Sequence, residues 1–326
     1  MKKLVIYTAI TLLAFTSCKK KETSPEPEPE PVVNPGPACP TCDFPPTKWV
    51  STGSGPKLIF KFKFDSMQVR LNNLAQPTVV AAGNAGQSPV FNGMSAHYIE
   101  LAQTDMTQVG GGTILYKANE TECGGSKAIT FCESVVCAEG DTCFSIPFSS
   151  ITPGTYKWLR VSLAYQNYDI KVRANGQNLV GTIGSFVGFN TYVTKYKMKT
   201  AVMTPTAGGG AGNHLQGYWG FYTSVSGVEY KSDGQAPATT VVNPNFANSP
   251  IPPGSCLVTG EFYNTITSSN APLVITGTET QDKVITISLS TNKSFEWKEM
   301  TFDGIFEPGI GETVVDMGLR GMIPKY

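Results

Sequence analysis

Near the carboxyl end, Glu299, Thr301, Asp303, Ile305 and Glu307 have the types and spacing of a calcium loop. Hard oxygen donors stand at alternate positions, Gly304 takes the sixth place, where the chain must turn sharply, and Ile305 would donate its backbone carbonyl from the seventh. The twelfth position is Ile310 where such a loop needs a bidentate acid, so Glu312 or Asp316 would have to close a longer loop. The competing reading, which that mismatch favours, is an ordinary β-hairpin turning tightly at Asp303-Gly304. Calcium is the cofactor this loop would hold.

Eight cysteines are the next chemical resource. Cys39-Pro40-Thr41-Cys42 has the spacing of a thioredoxin-like redox pair or of half a zinc site. A redox pair should open a helix behind a buried strand, whereas this one sits among Pro35, Pro37, Pro45 and Pro46. Zinc would need two further ligands from the distant cluster of Cys123, Cys132, Cys137 and Cys143. Structural disulfides are the simpler reading: one for the Cys39 and Cys42 pair, and two local bridges in the cluster that staple a Gly-rich loop. Spacing does not decide which pairs form. Setting Cys18 aside leaves an odd number, so at least one thiol stays free or pairs between molecules.

His97 and His214 are the only histidines, which leaves a Ser-His-Asp or Cys-His arrangement few possible bases. His97 lies in the strand-like run Ala96-His97-Tyr98-Ile99, His214 follows a glycine loop, and neither neighbours a nucleophile elbow. Carboxylates are scattered at turns, and no glycosidase-type pair stands out. The expectation is a protein that is not an enzyme. The Gly-rich segment 206–212 lacks the strand-to-helix setting and the Lys-Ser/Thr pair of a phosphate cradle. Tyr218, Trp219 and Tyr222 offer flat rings that could stack on sugars, although strand alternation sends neighbours to opposite faces. Lys+Arg 25 against Asp+Glu 25, with only 15% of residues charged, argues against nucleic acid as a partner, which calls for a basic stripe.

Strands must position these residues. Gly 33 and Pro 23, with abundant Thr, Val and Tyr, favour strands and turns over helices. Leu58, Phe60, Phe62 and Phe64 alternate with Ile59, Lys61 and Lys63, the signature of a half-buried antiparallel strand. Similar runs cover 113–117, 143–148, 156–163, 168–173, 191–199, 215–222, 257–262, 273–276 and 284–289. Pro153-Gly154, Asn175-Gly176, Asp233-Gly234 and Pro253-Gly254 mark turns between them. The expected fold is all-β: an antiparallel β-sandwich over 49–232, a connector at 233–255 and a smaller carboxyl-terminal β unit at 256–326. A long ordered crossover within a single sandwich is the alternative to a true connector.

At the amino end stand Met1-Lys2-Lys3, an apolar run from Leu4 to Phe15, the pair Thr16-Ser17 and then Cys18. Residues 1–18 resemble the bacterial lipoprotein signal, in which the cysteine at the cleavage point is acylated and becomes the new amino terminus. The apolar run is about twelve residues where a membrane span needs about twenty, so acyl chains would do the anchoring. Residues 19–48, with Pro25-Glu26-Pro27-Glu28-Pro29-Glu30-Pro31, read as an extended tether. Further along, Pro153-Gly154-Thr155-Tyr156 followed by Arg160-Val161 is similar to a segment of exported β-sandwich lipoproteins of the Bacteroidota. Asp65-Ser66-Met67 is similar to the O-glycosylation acceptor of those bacteria, which makes Ser66 a candidate. The resemblance implies an outer-membrane lipoprotein, periplasmic or surface-exposed, that meets the membrane through Cys18. Its β body would be a non-enzymatic binding or structural component with a polysaccharide or a surface protein as partner. A carbohydrate-active hydrolase or sugar-binding module, and a calcium-stabilised adhesion module, are the competing readings.

Overall fold

Alternation makes the first long strand, β1 (Lys57–Asp65): Leu58, Phe60 and Phe62 are buried on one face while Lys63 looks outward. The computed structural model describes residues 38–72, 76–237 and 248–326. The expected signal peptide, with Cys18, and the tether up to residue 37 lie outside the described residues. The principal strands after β1 are β2 (Asn84–Gln87), β3 (Val90–Ala102), β4 (Thr113–Lys117), β5 (Phe144–Pro147), β6 (Trp158–Ala174), β7 (Gln177–Phe186), β8 (Tyr218–Val225), β9 (Val228–Gln235), β10 (Cys256–Glu261), β11 (Lys283–Ser290), β12 (Phe295–Lys298), β13 (Thr313–Asp316) and β14 (Met322–Lys325). The fold is all-β, as expected, and the helical turns described are 3-10 pieces of three residues.

One sheet runs Trp49–Val50, β5, β1, β11, β14, Tyr263–Asn264, Ser269–Asn270, with β1 and β11 parallel from Leu58 opposite Lys283 to Asp65 opposite Ser290. The larger sheet runs β9, β8, β7, β6, β3, β4, with β10 also paired to β6 and Val135–Cys137 to β3. The two sheets share a core in which Leu58, Phe60, Phe62, Ile285 and Ile287 meet Ile99, Leu101, Leu159 and Val161. Burying a side chain of this size contributes roughly 1.5–3 kcal/mol.

A bulge at Ala164 decides what lies beyond that core. In the ladder between β6 and β3, Leu163 faces Ala96 and Tyr165 faces Ser95, so Ala164 is extra. An extra residue reverses the side-chain parity of everything after it. Leu159, Val161 and Leu163 therefore point into the main core, whereas Tyr165 points to the opposite face. There it packs with Phe131, Phe186, Tyr196, Met198 and Tyr218 in a second core. Tyr168, Ile170 and Val172 return to the first face and form a third core with Ile183, Phe295, Trp297 and Phe306. The covering layer is a small sheet of β13, β12 and β2.

The expected division at 233–255 does not separate two cores. β10 is bonded to β6, β11 to β1, and β12 to β2, so residues 256–326 complete sheets begun by residues 49–232, and residues 37–326 form one compact unit. The physical reason is that β1 has a second edge that β11 occupies in parallel, a long-range pairing that no local pattern encodes. The tether also ends earlier than residue 48, since Cys39 and Cys42 are already tied to the body.

Candidate functional site

The calcium candidate lies in the connection between β12 and β13. Asp303 Oδ2 accepts a hydrogen bond from Arg173 Nη1 at 2.6 Å, and Glu307 Oε1 lies 3.5 Å from the same nitrogen. Asp303 Oδ1 accepts from the Ile305 amide at 2.9 Å, and Thr301 Oγ1 donates to Glu299 Oε1 at 3.4 Å. Glu299 is buried; that burial, followed by the hydrogen bond with Glu312, pushes its carboxyl above the usual range. Glu312 in turn accepts from the amides of Met300 and Glu307 at 3.1 and 2.6 Å. Asp303, Glu307 Oε1 and Glu299 Oε1 are thus engaged by the Arg173 guanidinium, a backbone N–H group and the Thr301 hydroxyl. Among the described residues, no group of three His, Cys, Asp or Glu side chains is arranged to hold a metal.

The cysteines pair across the chain. Cys39 bonds Cys123 and Cys42 bonds Cys132, over sequence separations of 84 and 90, while Cys137 and Cys143 form a local bridge six residues apart. Of the two local bridges expected in the cluster, only the last forms, and Cys39 does not bond Cys42. The extended segment 39–42 instead lies against two loops and hands one sulfur to each. Among the described residues Cys256 is the one cysteine outside a disulfide. Burial, with the Asp316 charge adding to it, pushes its thiol up to about 12, so it stays protonated near neutral pH.

Both histidines have structural partners. His97 is buried in β3, its Nε2 3.1 Å from Glu120 Oε1, and Glu120 also meets Lys127 Nζ at 2.7 Å. Burial alone would raise the Glu120 carboxyl, but the hydrogen bonds from His97 and Lys127 outweigh it and hold it at about 2. His214 stacks on Tyr218 with ring centres 4.0 Å apart, and its Nε2 lies 2.9 Å from the Gly210 carbonyl oxygen. Tyr218 donates to Asp233, which also accepts from the amides of Thr206 and Ala207 at 2.7 and 2.8 Å. The Gly-rich loop is therefore docked on a carboxylate of its own chain.

The expected sugar-stacking residues do not share a face. Tyr218 is fully buried in the second core, and Tyr222, on the same face, donates to Glu229 at 3.2 Å with Lys231 Nζ 5.9 Å from its ring centre. Trp219 lies on the other face, and strand alternation places Phe221 and Tyr230 there with it. A Cβ on Gly234 would meet the Trp219 ring at 2.7 Å, and one on Gly181 would meet Phe221 at 2.2 Å. Glycine thus lets both rings lie flat over neighbouring strands. Phe221 and Tyr230 were findable from the two-residue period; the ring-over-glycine pairs were not, because they depend on register.

Beside that face is a cleft of about 210 Å³, with Ser185, Val187 and Cys256 on one side and Val314, Val315 and Met317 on the other. Ser185 stands opposite Trp219 in the ladder, so the cleft and the flat rings adjoin one sheet face. Ser66 is exposed at a turn in which Asp65 Oδ1 accepts from the amides of Met67 and Gln68 at 3.0 and 3.1 Å, leaving its hydroxyl accessible. No protein family, curated protein or solved structure matches this chain in sequence or fold comparison.

Proposed function

We propose that this chain is an exported lipoprotein, anchored in the outer membrane through acylated Cys18, whose disulfide-stapled sandwich is a non-enzymatic binding component of the cell surface. The observation that carries the reading is the pair of bridges Cys39–Cys123 and Cys42–Cys132. They join the chain next to the proline tether directly to the body, and bridges of this kind persist in oxidising compartments. The binding surface is the face carrying Trp219 and Phe221 with its adjoining cleft, and flat rings beside a partly apolar cleft suit the faces of a polysaccharide.

Two measurements test this. Cys18→Ala is expected to move the full chain from the membrane fraction to the soluble one, and mass spectrometry of the parent should find acyl chains on Cys18. A parent that carries no acyl chain sinks the anchor. Trp219→Ala is expected to lower retention on insoluble polysaccharides at unchanged melting temperature. Equal retention of parent and variant on every polysaccharide tried, or no retention of either, sinks the proposed surface.

A further inference from the structure

Strand β9 is the longest end strand of any sheet among the described residues. Other ends are blunted by shortness: Trp49–Val50 and Ser269–Asn270 have two residues each, and β4 has five. β9 has eight residues, no proline, and a regular ladder to β8 on one side. It is exposed from Val228 through Ser232. Long, regular, uncovered edges are what monomeric β-proteins avoid, because their unpaired backbone groups template another strand.

We propose that β9 is an interface with a second copy of this chain, the two strands pairing antiparallel about a two-fold axis at Tyr230. A two-fold axis that joins two strands into one continuous sheet stands normal to the sheet, so every side chain keeps its face. The central residue must then oppose its own copy. A centre on Glu229 sets Glu against Glu, and a centre on Lys231 sets Lys against Lys. A centre on Ser232 would oppose Lys231 with Asp233, but Asp233 is already bound by Thr206, Ala207 and Tyr218. The centre on Tyr230 places Glu229 opposite Lys231 of the second copy, and Lys231 opposite its Glu229. These two side chains already lie 3.0 Å apart within the strand, so pairing closes a ring of four alternating charges. On the other face the two Tyr230 rings meet, flanked by Val228, and both residues, each 54% exposed, become covered.

The test uses the full chain and its oligomeric state by sedimentation across a concentration series. The parent is expected to dimerise. Lys231→Glu or Glu229→Lys alone, each of which opposes like charges, is expected to give monomer, and the double exchange to restore the dimer. Residues facing each other across an antiparallel pair have Cα atoms about 4.5–5.5 Å apart, within reach of a disulfide. Tyr230→Cys should therefore cross-link to a dimer on mild oxidation, well above the parent's background from Cys256, and Val228→Cys should not. A parent that stays monomeric overturns the proposal. So does a double exchange that fails to recover the dimer, or cross-linking at Val228 as efficient as at Tyr230.

Discussion

On the amino-terminal side, residues 39–50 reach the body through two disulfides and a two-residue parallel pairing of Trp49 and Val50 with β5. On the carboxyl side, the β12–β13 layer is held by ions. Arg70 donates to Glu296 at 2.7 Å, Arg320 Nη2 lies 3.5 Å from the same oxygen, and Arg320 also meets Asp316. The difference follows from what each segment can bury. The proline-rich stretch before Trp49 offers few apolar side chains, so covalent staples hold it. The layer with Phe295, Trp297 and Phe306 has its own core, and there the charges set position.

That contrast can be broken first at the staples. Replacing all four of Cys39, Cys42, Cys123 and Cys132 by Ser is expected to cost roughly 4–5 kcal/mol, since each bridge closes a long loop of the unfolded chain. Denaturant unfolding measures it, and a loss below about 1 kcal/mol would show that the staples are incidental. Next, Arg70→Met removes one partner of a pair whose side chains are only 6% and 7% exposed. Leaving Glu296 buried with only the more distant Arg320 as counter-charge is expected to cost about 3 kcal/mol and to loosen β12–β13 in hydrogen exchange, with segment 39–42 unchanged.

Protons sharpen the contrast further. Glu120 and Asp233 are held at about 2 in the folded chain, below their ordinary values of 4.5 and 3.8. The stability they contribute is full above those ordinary values and is lost as pH falls toward 2. Glu120→Gln is expected to melt lower at pH 7 and to show a flatter melting profile through the acid range. Glu299 has the opposite sign: its carboxyl is raised by burial and by Glu312, so its contribution is present in acid and is lost as pH rises through the raised value. Glu299→Gln should therefore melt no lower than the parent at pH 8 and should flatten the profile only above the ordinary carboxyl value of 4.5. This is the smallest of the four expected effects.

The β1 alternation was legible because one face of that strand is buried and the other is wet. β3 was not read as a strand in full, because from Gly93 to Ala102 it is buried on both faces and shows no two-residue period. The run 168–173 and all but the first two residues of the run 156–163 are one strand, β6, and the bulge at Ala164 breaks their shared parity. The candidate binding face was half legible. Trp219 stood out by type, but Tyr218 and Tyr222 belong to the opposite face, and Tyr230 joined Trp219 only through the hairpin between β8 and β9.

By itself the sequence determined the class of fold, because turn residues and short alternating runs are local properties. It also set an inventory with two histidines and eight cysteines. Tertiary structure decided which cysteines bond, how residues 256–326 complete the two sheets, and which rings share a face. Each of these depends on contacts between residues far apart in the chain, and the bulge at Ala164 reverses which side chains of β6 look inward.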